Sequence, residues 1–165
     1  MFDQPRRWRD LDPHATGAAT PHGEEHAMAY AFESGSLSAA ADCLDRAETT
    51  LCQAQSTSAP GQRYVLAHTA ALRVAAAVLA ARARPRRTRG LCNAWTLLTA
   101  VAPELSEWGE FFAAAALKRA AAASGAPHVV TSREADDLVR AVEQFLTVAE
   151  RALRLSHEPS VGPAR

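Results

Sequence analysis

The sequence predicts an all-α fold: an antiparallel bundle of four to five helices behind a disordered N-terminal tail. Three observations predict it. Alanine makes up much of the 48% hydrophobic content, and alanine loses no side-chain entropy in a helix. Leucine, valine and aromatic residues recur at three- and four-residue steps, the rhythm of a helix with one apolar face. Alternating strand formers are nearly absent, and the one adjacent valine pair, Val129-Val130, is too short to make a strand.

Residues 1–33 are expected to be a disordered tail. Pro5, Pro13, Pro21, Gly17 and Gly23 interrupt them among small residues and histidines, and such a stretch buries too little apolar surface to offset its ordering entropy. The bundle is expected over 34–156, one domain's worth of chain, with a second disordered tail at 157–165 after Pro159 and Gly162.

The first helix is expected to open near Ser36 and to carry Leu37, Ala41, Leu44, Ala47 and Leu51 on one face, ending before Pro60 and Gly61. A second runs from about Gln62 to Ala83, with Tyr64, His68, Ala71, Leu72, Ala75, Val78 and Leu79 inward, and Pro85 stops it. A short helix from about Cys92 to Val101 carries Trp95, Leu97 and Leu98. Pro103 suits the first turn of the next helix, whose Glu104, Glu107 and Glu110 complement a positive helix start. Its apolar set is Leu105, Trp108, Phe111, Phe112, Ala115 and Leu117, and Gly125 and Pro127 end it. The last helix opens on Thr131-Ser132-Arg133-Glu134, a capping box. Ala135, Leu138, Val139, Val142, Phe145, Leu146, Ala149 and Leu153 then form its inner stripe.

The 18 basic and 18 acidic residues cancel, which argues against a surface coated with phosphate-binding charge. Three cysteines, Cys43, Cys52 and Cys92, without a Cys-x-x-Cys pair, read as small buried thiols in a reducing compartment. The apolar run from Val74 is ended by Arg82 and Arg84, short of the ~20 residues a membrane span needs. With no signal peptide at the start, a cytoplasmic protein that meets no membrane is expected. No metal or cofactor site is expected: no glycine-rich phosphate loop, paired metal-binding histidines or nucleophile elbow occurs.

Three groups of residues are left as candidates for chemistry. Arg82, Arg84, Arg86, Arg87 and Arg89 stand together with no acid among them. They read either as a phosphate-neutralising patch for RNA or nucleotide or as a solvated helix end and loop. Tyr64 and His68 are four residues apart on one face, placing two polar tips at a helix-packing or interface position. Arg151 and His157 have a spacing at which an arginine could stabilise phosphorane charge while a histidine takes a proton from a 2′-hydroxyl, but they fall at the end of the last helix.

The run from Gln62 to Pro85 resembles the second helix of HEPN (higher eukaryotes and prokaryotes nucleotide-binding) domains, in which an aromatic residue and a small-residue helix precede a basic loop. Ala94 to Trp108 and Thr131 to Leu146 continue the likeness, in the order and spacing of an actinobacterial HEPN-like branch, over about residues 36–155. The resemblance implies a four- to five-helix bundle that often forms a homodimer through its helices. It also implies kinship with metal-independent ribonucleases and toxins, which use an arginine followed four to six residues later by a histidine, just before the last helix. Here Arg119 and His128 are nine positions apart with Gly125 and Pro127 between them. No catalytic role is carried over to any residue. The expectation is a non-catalytic HEPN-like module binding RNA, a nucleotide or a protein partner. The alternatives are a ribonuclease with a displaced site and a pure interaction scaffold.

Overall fold

The computed structural model describes the backbone of residues 21–82 and 93–155, and within them the side chains from residue 36 to residue 154. The chain divides into two compact units, Met1–Phe32 and Glu33–Arg165. Of the first, the described part is helical backbone; the bundle belongs to the second.

The described residues form five α-helices and no strand. They are α1 (Pro21–Ser56), α2 (Pro60–Arg82), α3 (Ala94–Val101), α4 (Ser106–Ala123) and α5 (Ser132–Leu155), with a 3-10 turn at Pro103–Leu105 between α3 and α4. The start of α1 differs from the expectation of a tail over 1–33 and a helix opening near Ser36. Helical backbone begins at Pro21, where a proline's fixed φ suits the first turn and its missing N–H is no loss. Glu24 and Glu25 then lie near the positive end of the helix, and Ala27, Met28, Ala29 and Ala31 favour its continuation. Residues 1–20 and the expected tail at 157–165 lie outside the described residues.

Long-range hydrogen bonds fix the helix directions. Arg63 of α2 donates through Nε to the Thr57 carbonyl at 2.7 Å, while Arg73, further along α2, donates to the Arg46 carbonyl at 3.0 Å and to Thr50 Oγ1. Partners that step back from Thr57, just past α1, to Thr50 and Arg46 within it as α2 advances mark an antiparallel pair. The same logic sets α4 antiparallel to α5, since Lys118 bonds Glu134 while the earlier Phe112 rests on the later Phe145. By contrast α2 and α5 run parallel: Arg63 pairs with Asp136, and Arg82 reaches Ala152. An up-and-down path through the long helices produces this arrangement.

By length and composition α2 is the one described helix that could cross a membrane, yet half of its apolar stretch is buried inside the protein. It packs against α3, α4 and α5 and is the central helix of the core. Its alanines at 67, 70, 71 and 75 are fully buried, because small side chains let neighbouring helices approach closely. The bulk of the interior comes from the neighbours: Trp95 and Leu98 of α3, Leu105 of the turn, Phe112 of α4, and Val142 and Phe145 of α5. Trp95, Phe112, Trp108 and Phe145 stack in a continuous aromatic layer with centroids 5.2 to 6.1 Å apart. Gly109 permits the close crossing of α3 and α4. A Cβ there would lie 3.0 Å from Thr99 Oγ1 and 3.4 Å from the Trp95 carbonyl.

The helix ends follow local chemistry. Asn93 caps α3, its side-chain oxygen accepting from the Thr96 N–H at 2.8 Å. At the end of α4, Gly125 takes φ +79°. The Ala126 N–H bonds the Ala121 carbonyl and the Gly125 N–H the Ala122 carbonyl, a Schellman closure. The capping box of α5 forms as expected. The Thr131 hydroxyl accepts from the Glu134 N–H at 3.2 Å, and Glu134 Oε2 accepts from the Thr131 N–H at 2.8 Å.

Two side-chain placements correct the sequence expectation. Of the α4 apolar set, Leu105 and Phe112 are buried, whereas Phe111 is 47% exposed and Leu117 84% exposed. Among the cysteines Cys52 is exposed and Cys43 half-buried, so neither is the buried thiol expected; Cys92 lies outside the described residues.

Candidate functional site

Arg82 and the arginines that follow it part company. Arg82 sits in the last turn of α2. One terminal nitrogen bonds the Glu104 carboxylate, and the other donates to the Ala152 carbonyl at 2.8 Å. The arginine holds the Glu104 carboxyl below the usual carboxylate range. With only 18% of its side chain exposed, Arg82 ties α2 to the 3-10 turn and α5 rather than facing a phosphate. Arg84, Arg86, Arg87 and Arg89 lie outside the described residues.

Tyr64 and His68 are buried in α2 and both face α4. His68 Nε2 lies 2.9 Å from the Phe112 carbonyl oxygen. A carbonyl only accepts, so the proton is on Nε2 and Nδ1 carries the lone pair. Trp95 and Phe112 meet the imidazole edge-on, with centroids 5.6 and 6.2 Å away. Burial pushes the His68 pKa down, and the Arg119 cation pushes it further, against the Phe112 hydrogen bond. Nδ1 of His68 and Nε of Arg119 are both buried without a hydrogen-bond partner. The histidine is therefore held neutral and spent on packing.

One turn earlier on α2, burial pushes the Tyr64 phenol up, against the nearby Lys118 cation. Lys118 bonds Glu134, whose carboxyl is drawn down to about 2 by that bond and by the two Thr131 hydrogen bonds of the cap. These groups, with Phe111, Asp137 and Leu138, line a cavity of about 160 Å³ beside α4.

The remaining arginine–histidine candidates do not assemble. Arg119 is half-buried on α4 and lies near His68 rather than in an open cleft. His128 is exposed beyond the helix end, at φ 59°. Arg151 is exposed on α5, and His157 lies outside the described residues. Among the described residues no three histidine, cysteine, aspartate or glutamate side chains gather as metal ligands would.

The sequence reading missed the outer face of α4. Phe111, Ala113, Ala114, Leu117 and Ala120 are all exposed, and no charged residue interrupts them from Phe111 to Leu117. The signal was weak, since an alanine-rich helix looks apolar from every side.

A profile of the SAV_6107-like HEPN family matches residues 54–150, more than half of the chain. That span runs from the end of α1 through α2, α3 and α4 and most of α5. Neither the curated proteins nor the solved structures hold a match to the chain. With five helices, no strand among the described residues and this profile across its core, the chain belongs to the HEPN superfamily.

Proposed function

We propose that this HEPN domain is a non-catalytic binding module, cytoplasmic in setting, whose partner is a protein surface. The observation that carries the reading is the outer face of α4, where Phe111 and Leu117 stand exposed among exposed alanines. Clustered apolar residues on the outside of a bundle are what a partner covers. The absence of catalysis is supported by the state of the described histidines and arginines. Proton transfer from a 2′-hydroxyl needs a histidine that can reach it. His68 is buried with Nε2 engaged, and His128 stands nine positions from Arg119 across a helix end. The test is prolonged incubation of the concentrated protein with single-stranded RNA in chelator. Intact RNA is expected. Cleavage that disappears in His128→Ala or His157→Ala would establish the displaced-site ribonuclease instead.

A second reading, contact with RNA or a nucleotide, is favoured by one feature of the sequence: Arg84, Arg86, Arg87 and Arg89 carry four positive charges with no acid between them. Such a run would give affinity that falls steeply with salt as counterions are released. Replacing all four with alanine is expected to flatten the salt dependence of RNA binding. An unchanged slope removes the nucleic-acid role.

A further inference from the structure

We infer that the groove between α3 and α4 takes the side chain of an arginine carried by the partner protein; the inference rests on the binding-module reading above. The groove, about 380 Å³ in volume, is walled by Trp95, Thr96 and Thr99 of α3 and by Gly109, Glu110 and Ala113 of α4. Gly109 keeps it open, since a Cβ there would crowd Thr99 Oγ1 at 3.0 Å.

The side-chain oxygens along the groove are all acceptors. Thr99 Oγ1 donates its one proton to the Trp95 carbonyl at 3.1 Å, and Thr96 Oγ1 donates its own to Asn93 Oδ1 at 3.0 Å. The same Asn93 oxygen accepts from the Thr96 N–H at 2.8 Å, so it is the acceptor in both bonds. Each hydroxyl is left with lone pairs alone. Glu110 adds a carboxylate that is exposed and makes no ion pair among the described residues. No lysine, arginine or histidine lines the groove. Such a site calls for a ligand that is cationic and only donates. Arginine meets both demands, with five N–H groups in a planar fork and no acceptor. Its fork serves several separated oxygens at once, while its aliphatic stem lies along the apolar wall at Gly109 and Ala113.

The groove is continuous with the apolar outer face of α4. Glu110, Ala113 and Leu117 follow one another at steps of three and four, which places them on one side of the helix. A partner helix laid against Ala114 and Leu117 therefore carries an arginine at the margin of its contact into the groove. An RNA phosphate would meet the Glu110 carboxylate there and be repelled.

Heteronuclear NMR on the full chain tests this, with a blocked helical peptide of alanine and leucine bearing one central arginine as the probe. The peptide is expected to bind saturably and to shift the signals of the Trp95 indole, Thr99 and Gly109. Its glutamine counterpart is expected to bind about tenfold more weakly, as is the arginine peptide to Glu110→Gln, each change removing a charge-assisted hydrogen bond. Ala113→Trp, which fills the groove from an exposed helical position, is expected to weaken binding at least as far. Glu107→Gln removes a nearby charge that does not line the groove and is expected to leave the affinity as it is. All three variants should keep the helicity and melting temperature of the wild type. No saturable shift at Trp95 and Gly109, equal affinity for the glutamine peptide, or undiminished binding to Glu110→Gln overturns the inference. Shifts confined to Phe111 and Leu117 overturn it too, while leaving the outer face of α4 as a protein-binding surface. The non-catalytic reading survives each of these results, since only RNA cleavage removes that.

Discussion

The imidazole of His68 and the backbone carbonyl of Phe112 are joined by a 2.9 Å hydrogen bond across the α2–α4 contact, at positions that are 2% and 0% exposed. The ring donates this bond whether neutral or charged, but it is buried and its Nδ1 has no partner to stabilise a second proton, so the neutral form is favoured. Burial lowers the folded pKa, so the unfolded ring, at about 6.5, takes up its proton first as the pH falls. The stability that His68 contributes is full above that value and is lost as the pH drops towards the folded pKa. Urea unfolding midpoints are expected to fall between about pH 7.5 and about pH 5.5. In His68→Phe that part of the fall should disappear. An equal fall in the variant would show that another group is responsible.

Glu134 produces a second, lower acid transition. Its carboxyl titrates at about 2 in the folded chain because Lys118 and the Thr131 cap bond the carboxylate, against about 4.3 when unfolded. Its contribution is present above the unfolded value and lost as the pH falls through the range between the two. Glu134→Gln is expected to lower stability at neutral pH and to flatten acid unfolding between about pH 4.5 and about pH 2, measured by circular dichroism.

Arg82 behaves as a structural residue rather than a phosphate contact. Its bonds to Glu104 and to the Ala152 carbonyl join three elements. Arg82→Ala is expected to cost about 1–2 kcal/mol in denaturant unfolding, chiefly through the bond to the carbonyl, since Glu104 is half exposed and screened. It should leave the salt slope of any RNA binding unchanged. A stability within error of the wild type contradicts this assignment.

Phe112 is the centre of the aromatic layer, touching the rings of Trp95, Trp108, Phe111 and Phe145 as well as His68. Phe112→Ala is expected to cost about 3–5 kcal/mol, as a cavity opens where four helices meet. Phe111→Ala, at a half-exposed neighbour on the same helix, should cost much less. Comparable losses for the two would place the inner face of α4 wrongly.

The sequence was legible where side chains differ in size and polarity around a helix. In α5 bulky residues alternate with charged ones, so the stripe from Ala135 to Ala149 is buried as the spacing predicts, Leu146 only partly. Its cap is equally local, because Thr131 and Glu134 each satisfy the other's backbone amide. Alanine removes that contrast. In α4 the spacing alone puts Phe111 and Phe112 on one apolar set, whereas in the fold Phe112 turns in on the side where α3 approaches Gly109 and Phe111 turns out. The start of α1 was hidden by Pro21 and Gly23, which read as breakers although the first is compatible with a helix opening. Arg82 was indistinguishable from its neighbours because its partners, Glu104 and Ala152, are remote in sequence.

The outer face of α4 is where this account places the domain's work, and thiol reactivity at Ala114→Cys measures its cover directly. Alkylation, followed by mass spectrometry over a range of protein concentration, is expected to slow as the homodimer that the family resemblance implies forms, while the exposed native Cys52 on α1 reacts at a constant rate. Reaction at Ala114→Cys that is as fast in concentrated as in dilute protein would contradict the account.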